Sequence, residues 1–136
     1  MELKKIKHTL ENGKSIKYEY DQEGDILEIV FRSTPETAAI ELTESIILHF
    51  DWKTNEPVRL SFISFSRLIQ PTEYGETHFQ LLANEWPEEM QKTIWELLRN
   101  PPLSEFLKLS SFTPSHTRQP IPVTSIKRPA MMGVGA

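Results

Sequence analysis

YEYDQEGDILEIVF, Tyr18 to Phe31, sets three carboxylates, Asp21, Glu23 and Asp25, at alternate positions between two apolar runs. Upstream, Ile16, Tyr18 and Tyr20 alternate with Lys17, Glu19 and Asp21, the period of a strand with one buried face. Downstream of Gln22-Glu23-Gly24, one face carries Leu27, Ile29 and Phe31, and the other Ile26, Glu28, Val30 and Arg32. Two strands joined by a short glycine-containing turn make a β-hairpin. The competing reading is a cation site. An EF-hand loop counted from Asp21 needs glycine at its sixth place and glutamate at its twelfth, where this chain has Ile26 and Arg32. The carboxylates therefore read as turn residues: Asp21 and Asp25 accept hydrogen bonds from turn amides, and Gly24 supplies a positive φ.

Outward from the hairpin, Ser33, Thr34 and Pro35 interrupt the alternation, and Ala38, Ile40 and Leu42 resume it. A further strand follows with Ile46, Leu48 and Phe50 on one face and Ile47 and His49 on the other, then a polar turn at Lys53 to Glu56 and a partner strand through Val58, Leu60 and Phe62. The span 16–65 thus predicts four or five antiparallel strands, which need a cover for their apolar face. WPEEMQKTIWELLRN, Trp86 to Asn100, predicts that cover. Pro87 stands at the first helical position, Glu88 and Glu89 in the first turn and Arg99 in the last, while Met90, Ile94, Leu97 and Leu98 form one stripe. Shorter helices are expected over 77–83 and 103–109. The fold class so predicted is α+β, a small antiparallel sheet followed by two or three helices.

The pattern YDxExDxLxI, carried by Tyr20, Asp21, Glu23, Asp25, Leu27 and Ile29, precedes an acidic strand entry at Glu44, the strand IILHFD and the strand VRLSFISFSRL. Over about residues 18–68 this resembles domain-of-unknown-function family 2283, a group of small bacterial proteins. The resemblance implies a small curled sheet and no established activity. Some members stand beside toxin-like genes. The chain departs from the family at its last hairpin, where Asn55-Glu56-Pro57 and LSF replace a glycine-containing turn and a glycine-isoleucine-glutamate run.

A chain of 136 residues with 38% hydrophobic and 25% charged side chains suits one autonomous domain. Zero cysteines exclude disulfides, thiolate metal sites and a cysteine nucleophile. No apolar run reaches the length of a spanning helix, and MELKKIKHTLENGK lacks the apolar stretch of a signal peptide, so a cytoplasmic protein is expected. Charge divides the sequence unevenly. Residues 1–108 hold twelve basic and nineteen acidic side chains, a formal −7, and the last 28 residues carry +3. The expected organisation is a body over 1–108, with sheet 16–65 and helices 77–108, and an extended, proline-rich basic tail over 109–136. An acidic body speaks against nucleic acid, whose phosphates need a basic face.

Catalytic motifs are missing. His8, His49, His78 and His116 lie in separate segments without the i, i+4 spacing of a zinc helix, and Ser61, Ser64 and Ser66 lack a nucleophile elbow. The glycines form no phosphate loop, so no cofactor or metal is expected. Binding residues are easier to nominate. Trp86 flanks the long helix and Trp95 lies off its stripe, so Trp95 either widens the core or anchors a contact surface. In the tail, Ile121, Val123, Ile126 and Met131 are candidate apolar anchors and Arg118, Lys127 and Arg128 candidate charged ones. The leading expectation is a non-enzymatic protein-interaction, assembly or regulatory module acting through the acidic body and the basic tail on another protein, a basic one by complementarity. Ile26, Val30, Ile47, Ile63 and Phe65 fall out of phase with the first apolar set and make a second sheet face that a homodimer or the tail would cover. Two alternatives stand beside it: an antitoxin-like neutraliser of a small basic toxin, and a metal-assisted enzyme using Asp21, Asp25 and His49.

Overall fold

The computed structural model describes residues 3–9, 15–34, 37–70, 77–113 and 119–127. The chain divides into two compact units, 1–68 and 69–136.

In the first unit the alternating segments form the strands their period predicts: β2 (Ser15–Asp21), β3 (Ile26–Val30), β4 (Ala38–Glu41), β5 (Ile46–Asp51) and β6 (Glu56–Ile63). They are preceded by β1 (Leu3–Thr9), whose LKKIKHT has too few apolar positions to signal a strand. All six join one antiparallel sheet in the order β1-β2-β3-β6-β5-β4. Its register aligns buried side chains in rows across the strands. One row runs Tyr18, Ile29, Leu60 and Leu48, the next Tyr20, Leu27, Phe62 and Ile46. Apart from Tyr20, every member is at most 1% exposed. Each such aliphatic or aromatic side chain removed from water contributes about 1.5–3 kcal/mol, so the rows fix the register as well as the stability.

Turn chemistry closes the hairpins. Thr43 Oγ1 accepts the amides of Ser45 and Ile46 between β4 and β5. Asp51 Oδ1 accepts the Lys53 amide between β5 and β6, where Asn55 takes a left-handed φ of 57°. The β5–β6 register shifts between His49 and Phe50, which places Phe50 opposite Pro57, a residue with no amide to donate. Phe65, expected to continue the sheet's second face, instead opens the one-turn helix α1 (Phe65–Leu68) and is buried, because Ser64 at φ 57° turns the chain out of β6.

The second unit corrects the expected fold class. The protein is mostly β, with a second sheet where two or three helices and an extended tail were predicted. Among the described residues, only α2 (Glu88–Arg99) is a helix of several turns. Its stripe is as read, with Ile94 and Leu98 buried and Met90 and Leu97 half-buried, and Pro87 stands one place earlier than expected, at the N-cap. The segment 77–83 gives β7 (Phe79–Gln80), then a 3-10 turn at Ala83–Glu85. The segment 103–109 gives a 3-10 turn at Leu103–Glu105, then β8 (Leu107–Phe112). From the supposed tail comes β9 (Ile121–Ile126), the central strand of an antiparallel sheet ordered β7-β9-β8, with Val123, Thr124 and Ser125 all buried. Thr124 Oγ1 donates to the Lys108 carbonyl at 3.0 Å, which satisfies its hydroxyl in the interior.

Candidate functional site

In the carboxylate turn, Asp21 and Asp25 are engaged by the chain itself. Asp21 Oδ1 accepts the amides of Glu23 and Gly24 at 3.1 and 3.2 Å. Gly24 does not take the expected positive φ; a Cβ there would stand 2.9 Å from Asp21 Oδ2, the tip of a side chain, so the position favours glycine only as far as Asp21 holds its place. The left-handed residue is Asp25, at φ 54°. Its carboxylate accepts the Tyr20 hydroxyl at 2.7 Å, the Ser66 hydroxyl at 2.6 Å and the Ser66 amide, and its carbonyl accepts the Phe65 amide at 2.9 Å. Tyr20 and Phe65 meet edge to face at 6.1 Å. Asp25 thus pins α1 to the first hairpin. Partial burial raises its pKa, but the bonds from Ser66 and Tyr20 outweigh that and hold the carboxyl below its ordinary range. The same bond, reinforced by burial, pushes the Tyr20 phenol up.

His49 lies elsewhere on the sheet. It stands opposite Arg59, which stands opposite Val30 and places Nη1 3.3 Å from Glu28 Oε2. Burial depresses the His49 pKa, Arg59 depresses it further, and Glu28 opposes both. The register separates this group from the turn. Asp21 and Ile26 mark the turn end of β2 and β3, and the His49 level is four residues further along β3, roughly 13 Å of strand. Asp21, Asp25 and His49 are therefore not gathered, and among the described residues no three histidine or carboxylate side chains are placed to hold a metal ion.

The nominated binding residues disperse. Trp86 is buried, its ring 5.3 Å from that of half-buried Trp95, over which Arg99 lies at 5.8 Å; the pair widens the core around α2. Ile126 is half-buried opposite Leu107, and Lys127 donates its ammonium to the Ser104 carbonyl at 2.7 Å. Arg118, Arg128 and Met131 lie outside the described residues.

Ile121 and Val123 converge on a surface that the sequence did not announce. They floor a cleft of about 360 Å³ with Phe112 as its wall and His78, Gln80 and Ser110 as its polar rim. The cross-strand register explains the grouping, since Gln80 and Ser110 both face Val123, and Phe112 faces Ile121. A second cleft of about 420 Å³, bordered by Asn84, Gln119, Pro120 and Pro122, shares Gln80 and Ile121 with the first. The two clefts meet at these shared residues of β7 and β9. Phe112 is 59% exposed and, with Trp52 at 57%, is one of two large apolar side chains so presented among the described residues. One signal could have found the groove: LKLSSF alternates Lys108, Ser110 and Phe112 against Leu107 and Leu109, a strand pattern hidden by reading the segment as the end of a helix.

The class defined by these elements is a mostly β protein of two sheets, with a mixed polar and apolar groove on the smaller one. Residues 17–64 match the family model described as Protein of unknown function (DUF2283), which agrees with the resemblance seen in the sequence and falls within the first unit, from β2 to the end of β6. No curated protein and no solved structure matches the chain.

Proposed function

We propose that the chain is a protein-interaction module that binds an extended peptide segment of another protein in the groove of its second unit. The observation that carries this reading is the pair of clefts joined through Gln80 and Ile121. Amide and hydroxyl groups on the rim, from Gln80, Asn84, Ser110 and Gln119, can donate to and accept from a peptide backbone. The apolar floor and the exposed Phe112 ring supply the desolvated centre that interface hot spots need.

A photo-crosslinker, p-benzoylphenylalanine, placed at position 112 of the full chain tests it, with position 52 as an equally exposed control. Irradiation in cells should give a discrete protein adduct from position 112 and none of the same mass from position 52, and the captured protein, once purified, should bind the full chain. Absence of an adduct at 112, or the same adducts from both positions, sinks the reading.

A further inference from the structure

We infer that the second face of the six-stranded sheet is a contact surface between two copies of this chain, related by a two-fold axis that runs across the strands. Ile26, Val30, Ile47 and Ile63 on this face are half-buried, whereas the rows through Leu27 and Ile29 on the other face are, apart from Tyr20, at most 1% exposed. Its charged side chains sort by sign into two neighbouring rows. One row crosses Glu19, Glu28, Ser61, Ile47 and Glu41, and the next crosses Lys17, Val30, Arg59, His49 and Ala39. With Lys5 and Lys7, which end the two rows on β1, and with His49 neutral, the first row carries a formal −2 and the second +3. The acidic row is self-repelling within the sheet, since Glu19 and Glu28 stand directly opposite each other. Glu28 meets Arg59 at 3.3 Å, but Arg59 Nε, shielded from water, has no hydrogen-bond partner among the described residues.

A second copy answers this pattern in one orientation. A two-fold axis midway between the rows and parallel to them lays the acidic row of one copy over the basic row of the other, with the strands antiparallel across the interface, the aligned class of sheet packing. Each strand then faces its own counterpart. Glu19 lies over the partner's Lys17, and Glu28 comes within one strand spacing of the partner's Arg59, where it can accept further guanidinium N–H groups. Val30 and Ile47 add apolar area at the centre. An axis parallel to the strands would set each row over itself, carboxylate on carboxylate, and is disfavoured. Size bounds the affinity. From β2 to β4, five strands about 4.8 Å apart and three side-chain rows about 6.8 Å apart span about 24 Å by 20 Å. Two such faces bury about 1,000 Å², the lower limit for a specific interface, so the dimer is a weak one. The net −4 of each copy opposes it little, because exposed charges more than a Debye length of about 8 Å apart are screened at physiological ionic strength.

Sedimentation velocity of the full chain, from about 5 µM to about 1 mM, tests this. The weight-average mass should rise from one copy toward two, with a Kd of about 10–100 µM, as an interface at the lower size limit gives. Lys17→Glu and Glu19→Lys each invert two contacts by symmetry, and each should weaken self-association at least about tenfold. Lys17 is exposed and Glu19 half-buried, so neither change removes buried apolar area, and both variants should keep the wild-type Tm to within about 2 °C. An equimolar mixture of the two variants should associate as tightly as the wild type, because every contact between unlike variants again joins a carboxylate to an ammonium. Amide shifts on dilution of the wild type should centre on Val30, Ile47 and Arg59. A chain that stays monomeric at about 1 mM overturns the inference. So does a dimer that both variants leave intact, or a mixture no tighter than its components. Dilution shifts confined to Ser110, Phe112 and Ile121 overturn it as well, since the dimer would then form through the second sheet.

Discussion

At the scale of single residues, Asp25 concentrates the structural chemistry of the first unit. It holds a left-handed φ of 54°, accepts Tyr20 and Ser66, and receives the Phe65 amide through its carbonyl. Asp25→Ala removes the carboxylate bonds and keeps a Cβ at positive φ, and should cost about 1–3 kcal/mol in urea unfolding. Asp25→Asn should cost less, since asparagine tolerates that φ and keeps one acceptor oxygen. The folded-state pKa of Asp25 lies below the unfolded value, so its contribution is present above the ordinary carboxylate pKa of 3.8 and is lost as pH falls through the folded value. The stability gap between wild type and Asp25→Asn should accordingly be widest near neutrality and narrow below about pH 4. His49 gives a second pH dependence in a different window. Its pKa is depressed in the fold, so the unfolded chain binds more protons just below 6.5, and stability should fall as pH drops through that value. His49→Gln should flatten this limb while leaving the Asp25 limb in place. A profile unchanged by the substitution would remove His49 as its source.

Elements were legible where a periodic pattern was long enough to exclude its rival. The five strands from β2 to β6 repeat their alternation between polar turns, and α2 has a four-membered stripe with acidic residues at its start and Arg99 at its end. The second sheet was illegible for opposite reasons on each strand. FQ in β7 is too short to show any period, and β8 follows a 3-10 turn that continues the apolar run of a helix. On β9, Pro122 argues against a central strand because it has no amide to donate. It is accommodated through its carbonyl, which accepts the Leu81 amide at 3.0 Å just beyond β7. The groove was missed because it depends on these three strands together, although Ile121 and Val123 were nominated from their apolar character alone. β9 should therefore be the element on which the second unit depends. Thr124→Val, nearly isosteric, removes the bond to the Lys108 carbonyl and should cost about 1–2 kcal/mol. Leu98→Ala on α2, fully buried, should cost about 2–5 kcal/mol through lost contacts and a residual cavity. Circular dichroism during urea titration ranks the two.

For the whole molecule, the family match and the groove fall in different units: residues 17–64 belong to the first, and the groove is built from 78 to 123 in the second. A function read from the matched region alone would overlook the surface that carries the chemistry proposed above. Within the second unit itself, buried and exposed side chains stand side by side on one sheet. Phe112 is 59% exposed, so its loss removes little buried area, whereas Val123 is 7% exposed at the centre of the same sheet. Phe112→Ser should change stability by no more than about 0.5 kcal/mol, a Tm shift of about 1–2 °C for a chain of this size, and yet abolish peptide binding and the adduct from neighbouring groove positions. Val123→Asp buries a charge without a partner and should unfold the second unit, losing binding together with the near-ultraviolet signal of Trp86 and Trp95. The pair of variants distinguishes a recognition surface from a structural one. If Phe112→Ser lowers Tm as far as Val123→Asp does, the ring belongs to the core of the folded chain, and the groove has lost its claim to be a binding site.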